Sequence, residues 1–345
     1  SSVRANTSSA FEYTWKSVPR GGHPMFYGFL INTFLVPYAL SIPLDRVSVT
    51  SLGVEGNGAS SLATSLPLSP SPIQPGSPVV SGDGRFVAFQ SASSNFDPTD
   101  GNGFMDVFLF DRQTRAVTRI KNSLLGDPDG ASFAPSIDFD GRHVAFESDA
   151  TNLVPADTNA ARDVFVYDSQ ALTIIRASVS NSSVQGNAAS MGAHMNYYGD
   201  SVAFSSYATN LAWPVTTGAL NGYVFYLPTS QVAWRTYRDI NLGAGLPNGD
   251  SLITSISDSG QEVVFQSTAS NLIVGGDTNS MQDVFVLHTS SLTVERISLS
   301  NSGSESNGDS YGGLYTVGGQ YISFFSTGTN LVPGDTNGAS DVFLR

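Results

Sequence analysis

The chain has no cysteine and few charged residues. Without cysteine it can form neither a disulfide framework nor a catalytic or metal-binding thiolate. Only 16 of the 345 residues are Lys or Arg, against 29 Asp or Glu, so the formal net charge is −13. Nucleic-acid phosphates attract clustered basic side chains, so this balance argues against DNA or RNA as a partner. An acidic surface suits cations or a basic partner instead.

Helix-forming residues are also scarce. Charged residues make up 13% of the chain, and Val, Phe, Tyr, Ile and Thr fill its short apolar runs. Branched and aromatic residues in short runs between Gly, Ser and Asp favour strands and turns. The composition therefore predicts an all-β protein.

One sequence motif recurs five times along the chain. In the second repeat it reads HVAFESDATNLVPADTNAARDVFVYD. Its anchoring phenylalanines are spaced by 57, 58, 61 and 59 residues, at Phe89, Phe146, Phe204, Phe265 and Phe324. A fixed period of this size is typical of repeated supersecondary units that bury a core against their neighbours. We therefore expect the function to reside in surfaces that several repeats form together.

Each repeat reads as four antiparallel strands, which we label A to D. In the second repeat, residues 135–139 precede the Asp140-Gly141 turn, and strand B follows over 142–148. A long loop leads to strand C at 163–167, and strand D follows over 172–179. Four short strands per repeat predict the blade of a β-propeller, over residues 45–345.

The two ends of the repeat series complement each other. The series starts with a lone strand D, at about 46–51, and ends with an A–B–C set that lacks its D. Pairing the two would close a ring of five blades and leave no free sheet edge. The alternative is that the sequence is part of a longer ring.

The repeat resembles the TolB-type β-propeller repeat. The resemblance rests on the order Asp-Gly, Val-Ala-Phe, Asp-Gly-Asn or Asp-Thr-Asn, and Asp-Val-Phe-Val-x-Asp, and it covers residues 46–345. It implies a propeller fold that serves mostly as a binding platform. TolB itself has six blades and an extra α/β domain, and nothing in this sequence resembles that domain.

The long B–C loop carries the pattern Asp-x-Asn-x-x-x-Asp in four repeats. Oxygen ligands at positions 1, 3 and 7 of a Gly-containing loop are typical of a structural Ca²⁺ site. The alternative is that these residues only cap turns by accepting backbone N–H bonds. The third repeat has Thr216, Gly218 and Gly222 at the three positions. The candidate metal ligands are Asp100, Asn102 and Asp106; Asp157, Asn159 and Asp163; Asp277, Asn279 and Asp283; and Asp335, Asn337 and Asp341.

The B–C loops and the D–A loops should emerge at the same end of a four-stranded antiparallel blade. Long polar loops repeated on a rigid scaffold are where recognition usually occurs, so this end is the predicted binding face. Trp213, in the third B–C loop, could stack on a sugar, although packing is the commoner role of a large aromatic.

The sequence shows no catalytic constellation. Gly308-Asp309-Ser310-Tyr311-Gly312 matches the nucleophile elbow of serine hydrolases, but Ser310 stands between two strands, where the elbow needs a strand and a helix. The four histidines occupy different repeat positions, so none is an evident partner for that serine.

Residues 1–44 stand outside the repeat. Residues 25–44 carry no charge and follow Lys16 and Arg20, which is typical of a secretory signal or an anchor. The alternative is a segment packed on the propeller. Asn32, Thr33 and Pro37 make a poor spanning helix, so no stable membrane span is expected.

These patterns predict a monomeric, non-catalytic scaffold, secreted, periplasmic or at the cell surface. It would bind a protein or a cell-surface polymer. Two alternatives remain open: a carbohydrate-binding propeller, and the propeller portion of a larger hydrolase or peptidase.

Overall fold

The computed structural model describes residues 46–61, 79–212, 218–235, 246–316 and 318–345. The chain divides into two units, 1–45 and 46–345, and all described residues belong to the second. The predicted signal-like segment 25–44 therefore lies outside the described residues. None of the described residues forms a helix long and apolar enough to cross a membrane.

The described strands form five antiparallel sheets in chain order. Blade one contains β1 (Ser60–Ser61), β2 (Phe86–Ser91), β3 (Asp106–Asp111) and β4 (Val117–Arg119). Blade two contains β5 (Ser132–Ile137), β6 (His143–Ser148), β7 (Asp163–Asp168) and β8 (Thr173–Arg176). Blade three contains β9 (Ser190–Met195), β10 (Ser201–Ser206), β11 (Asn221–Tyr226) and β12 (Gln231–Arg235). Blade four contains β13 (Ser251–Ile256), β14 (Glu262–Ser267), β15 (Asp283–His288) and β16 (Thr293–Arg296). Blade five contains β17 (Ser310–Tyr315), β18 (Ile322–Ser326) and β19 (Asp341–Leu344).

The predicted β-propeller architecture is confirmed. Blades one to four each hold four strands, and within every sheet the neighbouring strands follow one another in sequence. This is the A–B–C–D meander that the repeat predicts.

An aromatic pair holds strands B and C together in every blade. In blade two, Phe146 lies directly opposite Phe165, both are fully buried, and their ring centroids are 5.8 Å apart. The corresponding centroid distances in blades one, three, four and five are 5.6, 5.6, 5.5 and 5.6 Å, for Phe89–Phe108, Phe204–Tyr223, Phe265–Phe285 and Phe324–Phe343. Offset aromatic pairs add to burial energy, so the recurring phenylalanine that marks the period also stabilises each sheet.

The core lies between successive blades. Ala145 and Val164 of blade two pack in one cluster with Met195, Phe204 and Tyr223 of blade three. Strands B and C of blades one to four are therefore buried on both faces, which explains why they read as almost continuous apolar runs.

The Asp140-Gly141 turn between strands A and B is confirmed. Gly141 has a φ of 74°, which favours glycine. A Cβ there would also lie 2.2 Å from the ring of Phe86 in the preceding blade. Glycine thus allows both the turn and the close approach of two blades.

The structure corrects the strand predicted at about 46–51. In that segment it has only an isolated bridge between Val49 and Glu55. The complete D strands β8 and β16 end at Arg176 and Arg296, and Arg46 holds the same repeat position. The described residues after Arg46 therefore correspond to the turn that follows strand D in complete blades, where bridges join Val179 to Gln185 and Leu299 to Glu305, and the strand predicted there is wrong.

Blade five has three strands in the structure. No sheet among the described residues joins β19 to the start of the repeat series. The closure of the ring by its two ends therefore stays a prediction.

A side chain on strand B binds the next blade at a break in the register of strand A. Glu147 Oε1 accepts the Gly192 N–H at 2.6 Å, next to the irregularity between β9 and β10. Gln90, Ser205 and Gln266 make the same bond to Ala134, Ile253 and Gly312 at 2.8, 2.8 and 2.9 Å.

Replacing Glu147 with Gln should leave stability unchanged or raise it at pH 7. Burial raises the pKa of Glu147, so keeping its charge is costly, and glutamine serves the same position in blades one and four. Glu147→Ala should lower the free energy of unfolding by about 1–3 kcal/mol, because Gly192 N–H loses its acceptor. Urea unfolding of both variants and of the unaltered chain gives the free energies of unfolding to be compared. A loss in the Gln variant as large as in the Ala variant would contradict it.

Candidate functional site

The four predicted Asp-x-Asn-x-x-x-Asp triplets lie at the same place in blades one, two, four and five. In each, the third residue opens strand C and accepts a hydrogen bond from the asparagine amide. The Nδ2–Oδ2 distances are 3.4, 3.1, 3.3 and 3.2 Å, for Asn102–Asp106, Asn159–Asp163, Asn279–Asp283 and Asn337–Asp341.

A buried arginine joins the first and third residues of three triplets. Nη1 of Arg119 lies 2.8 Å from Oδ1 of Asp100 and 3.0 Å from Oδ2 of Asp106. Each arginine is the last residue of a strand D. In blades two and four the nitrogen–oxygen distances are 2.9 and 3.4 Å for Arg176 to Asp157 and Asp163, and 3.4 and 3.5 Å for Arg296 to Asp277 and Asp283. We call this arrangement the arginine clamp.

Further polar groups complete each clamp from the D–A loop. Asp127 pairs with Arg119, and Glu305 pairs with Arg296. In blade two, Gln185 takes this place and donates its amide to Asp157 at 2.7 Å. Hydroxyl groups also reach the third aspartates: Ser178 donates to Asp163 at 2.5 Å and Ser298 donates to Asp283 at 2.6 Å.

The clamp carboxylates divide into a buried and a more exposed class. Burial raises the pKa of Asp106 to about 6 although Arg119 opposes the shift, and burial likewise raises the pKa of Asp163 and Asp283. Asp97, whose Oδ2 lies 3.2 Å from Nε of Arg119, behaves in the opposite way. Burial alone would raise its pKa, but hydrogen bonds from Lys121 and Thr99 bring it down to about 2.

The residues of these three loops do not fit a calcium ion as they stand. The carboxylates face a guanidinium, and the asparagine Oδ1 accepts a backbone N–H two residues later, at 2.8 Å from Phe104, 2.9 Å from Ala161 and 2.8 Å from Met281. Among the described residues, no group of three or more His, Asp or Glu side chains is arranged to hold a metal ion. Calcium binding stays a prediction. In these three loops the guanidinium of the clamp arginine already supplies a positive charge to the carboxylates.

Blade five presents the triplet without such an arginine among the described residues. One carboxylate oxygen of Asp335, Oδ1, is buried and has no hydrogen-bond partner. A cavity of about 460 Å³ opens there, lined by the triplet together with Val342 and Phe343. Blade three differs again. Asn221 opens its strand C opposite Ser206, where the other blades have the third aspartate, so the predicted equivalence of Gly222 is wrong. The side chain of Arg235 lies outside the described part.

An asparagine locks the two loops together in all five blades. In blade two, Asn152 Oδ1 accepts the Asp129 N–H at 3.1 Å, and its amide donates to the Asp127 carbonyl at 2.7 Å. The same residue makes both bonds in the other blades, at 3.0 Å to the N–H group and 2.7–3.0 Å to the carbonyl, as Asn95, Asn210, Asn271 and Asn330. The prediction that the B–C and D–A loops share one end of the blade is confirmed. We call this end the loop face.

Glycine in the D–A loop allows this close approach. A Cβ at Gly58, Gly130 or Gly308 would lie 2.5, 2.6 or 2.6 Å from an atom of the neighbouring B–C loop. Blade three has Ala188 at this position, so a glycine allows the close approach of the two loops in the other four blades.

Ser310 is a structural residue. It is fully buried at the start of β17, and its hydroxyl bonds Ser326 Oγ at 2.9 Å. Ser60, Ser132, Ser190 and Ser251 make the equivalent pairs. The elbow match is therefore a consequence of the repeat.

The described histidines lie in three other blades. His143 contacts Asp138 at 2.9 Å, and His288 contacts Glu262 at 3.2 Å. Burial lowers the pKa of His194 to about 4, so it is neutral at pH 7. His23, Trp15 and Trp213 lie outside the described residues, as does the side chain of Trp234.

Comparison with known proteins identifies propeller structures at low similarity. No family model matches the chain, and no curated protein matches it. TolB from Acinetobacter baumannii is 16% identical, with a TM-score of 0.39, over 70% of this chain and 46% of that protein. A putative TolB from Agrobacterium tumefaciens is 12% identical, with a TM-score of 0.41, over 78% and 76%. Pyrococcus horikoshii acylaminoacyl peptidase is 10% identical, with a TM-score of 0.43, over 76% and 36%.

The likeness extends to the fold alone. Two of the three proteins are TolB proteins, the family that the repeat resembles. The chain spans about half the length of the first of them and about a third of the peptidase. Neither a role in a TolB system nor peptidase activity follows for this chain.

Removing the blade-one arginine should destabilise the protein strongly. Arg119→Met leaves Asp100 and Asp106 buried without a counter-charge, at an expected cost of about 3–5 kcal/mol in the free energy of unfolding. Arg112→Met is the matched control, because Arg112 is exposed and its hydrogen bond to the Gly84 carbonyl lies at the surface, so stability should change by no more than about 1 kcal/mol. Equal effects of the two substitutions on urea unfolding would show that the clamp is not a stabilising unit.

Chelation tests whether an arginine or a metal ion holds these loops. Because the guanidinium groups already neutralise the carboxylates, EDTA should leave the melting temperature of the chain unchanged. Asp283→Ala should weaken stability without changing the number of calcium ions bound, as measured by titration calorimetry. A lower melting temperature in EDTA, with one calcium equivalent lost in Asp283→Ala, would instead establish the calcium site.

Proposed function

We propose that the chain is a non-catalytic exported scaffold whose loop face binds a protein or a cell-surface polymer. The proposal rests on the two hydrogen bonds by which one asparagine joins the B–C and D–A loops of each blade, which we call the asparagine lock. Because each B–C loop is bonded to a D–A loop in all five blades, the loops are ordered before any partner arrives. A preorganised surface loses less conformational entropy on binding, which favours recognition.

The side chains at the loop tips support a partner with apolar groups. Leu52 and Leu124 lie in successive D–A loops and are 90% and 91% exposed. Val184, in the next D–A loop, and Val274 and Val332, in the B–C loops of blades four and five, are exposed as well. Each blade thus contributes at least one aliphatic side chain to an otherwise polar, acidic face.

Two further parts of the proposal rest on sequence. Export rests on the charge-free segment 25–44, and the exclusion of nucleic acid rests on the net charge of −13. A calcium-stabilised loop face is the alternative to the arginine clamp and is decided by the chelation experiment.

The binding face can be tested with matched leucine variants. Leu52→Ser combined with Leu124→Ser should weaken binding to cell envelopes of the producing organism by at least about tenfold, the equivalent of about 1.4 kcal/mol. Leu172→Ser is the control, because Leu172 is 70% exposed in a C–D turn at the opposite end of the blade. Envelope binding is measured by co-sedimentation.

Treated envelopes identify the class of partner. Protease treatment should abolish binding to a protein, and periodate oxidation should abolish binding to a glycan. Equal binding by the loop-face variant, the control and the unaltered chain would show that the loop face is not the binding surface.

A further inference from the structure

The A–B turns, at the end of the blades opposite the loop face, share one backbone arrangement. We call this end the turn face. A polar side chain opens each turn and accepts the N–H group five residues later at 2.8–3.2 Å, the acceptors being Ser81, Asp138, Asn196, Ser257 and Thr316. Three residues after the acceptor, every blade has a glycine with a φ of 65–74°. The turn itself therefore does not prescribe the two residues between the acceptor and the glycine.

Blades two and three place aromatic residues at these two positions. They are Phe139, Tyr197 and Tyr198, where the other blades have Gly82-Asp83, Asp258-Ser259 and Val317-Gly318. Phe139 is 39% exposed and Tyr198 is 68% exposed. Large aromatic side chains are usually well buried, and three blades form the same turn without them, so folding does not account for these rings. We call the three residues the aromatic patch.

Contacts between three blades hold the aromatic patch in place. The ring centroids of Phe139 and Tyr197 are 4.6 Å apart, and those of Tyr197 and Tyr198 are 5.3 Å apart. Backbone bonds link the turns as well: Asp83 N–H donates to the Phe139 carbonyl at 3.2 Å, and Phe139 N–H donates to the Tyr197 carbonyl at 3.0 Å. The Phe139 ring also covers Gly82, where a Cβ would lie 2.1 Å from the ring. The patch is therefore ordered before any partner binds.

Three carboxylates flank the patch and accept hydrogen bonds only from uncharged groups of the described residues. They belong to Asp83, Asp140 and Asp200, and their donors are backbone N–H groups, serine hydroxyls and one asparagine amide. Asp138, beside Phe139, is 3% exposed, and its Oδ1 has no hydrogen-bond partner among the described residues. The patch thus combines exposed rings with carboxylate oxygens that are available to a cationic donor.

Two arginines of the chain show what such a combination binds. The guanidinium carbon of Arg85 lies 4.6 Å from the Phe86 ring centroid, and its Nη2 lies 2.7 Å from Oδ2 of Asp111. Arg162 likewise lies 4.5 Å from the Phe133 ring centroid and pairs with a carboxylate. A cation placed over a ring and beside a carboxylate gains a cation–π attraction and an ion pair together.

We propose that the aromatic patch is a second binding surface, which takes an arginine- or lysine-bearing segment of a partner protein. The cation packs on the exposed ring of Tyr198 and pairs with Asp140 or Asp200, as Arg85 does within the chain. A neutral glycan would also stack on the ring but would gain no ion pair, and an anionic glycan would be repelled. The charges that flank the patch therefore favour a basic peptide. This surface is separate from the loop face, because it lies at the other end of the blades.

A short fluorescent peptide of alternating glycine and arginine tests the surface. Tyr198→Ala should weaken the binding of this peptide to the full chain by at least about threefold, because a cation–π contact is lost. Tyr321→Ala is the matched control, since Tyr321 is a 50% exposed tyrosine on the turn face of blade five. Fluorescence anisotropy measures the dissociation constants. Equal binding by Tyr198→Ala and the unaltered chain would overturn the proposal.

The charge of the surface is tested separately. Asp140→Asn with Asp200→Asn should weaken peptide binding by at least about twofold and make it less sensitive to salt. Asp129→Asn with Asp309→Asn is the control, because these exposed aspartates lie on the loop face and the change in net charge is the same. Equal effects of the two pairs would show attraction by the overall charge alone and would overturn the proposal.

Two further measurements separate this surface from other kinds of site. The loop-face variant Leu52→Ser with Leu124→Ser should bind the peptide as the unaltered chain does, so the two binding surfaces are tested independently. A neutral oligosaccharide should not bind in place of the peptide. Oligosaccharide binding that Tyr198→Ala abolishes, without binding of the arginine peptide, would identify the patch as a glycan site and contradict the proposal.

Discussion

A buried guanidinium held between carboxylates is the interaction on which the loop end of each complete blade depends. Asp106 and Asp163 are fully buried, and burying a carboxylate alone would be prohibitive. The arginine that ends strand D offsets that cost, because its guanidinium lies at ion-pair distance from both the first and the third residues of the triplet. One contact thus fixes the B–C loop, the start of strand C and the end of strand D.

The asparagine lock acts one layer further out. Its hydrogen bonds join backbone groups of two loops that face solvent, where exchange with water would otherwise leave them mobile. Glycines such as Gly130 let the two backbones approach until a Cβ would not fit. The clamp and the lock together give a β-propeller a loop face that is stiff although it contains almost no regular structure. Stiffness of this kind suits a surface for recognition better than a site that must close around a substrate.

The arrangement also separates structural from chemical roles for polar residues. Ser310 and its four counterparts pair with strand-B serines inside the sheet, and the described histidines lie in separate blades. Polar groups that recur at the same position of each repeat therefore stabilise the fold. A function specific to one blade can enter where the blades differ, as at Asn221 in blade three and in the triplet of blade five, which has no arginine among the described residues.

The sequence by itself determined the all-β class, the period, the strand order and the common end of the long loops. Alternation and turn residues act locally, so they can be read without knowing the partners of each strand. The arginine thirteen residues after each third aspartate was visible, at Arg119, Arg176 and Arg296, but its role was not. Only the tertiary structure decided that strand D lies against strand C and thereby brings this guanidinium to the carboxylates, where the pattern alone indicated calcium. A ligand set of oxygens looks the same in sequence whether its cation is an ion from solution or a side chain delivered by the neighbouring strand.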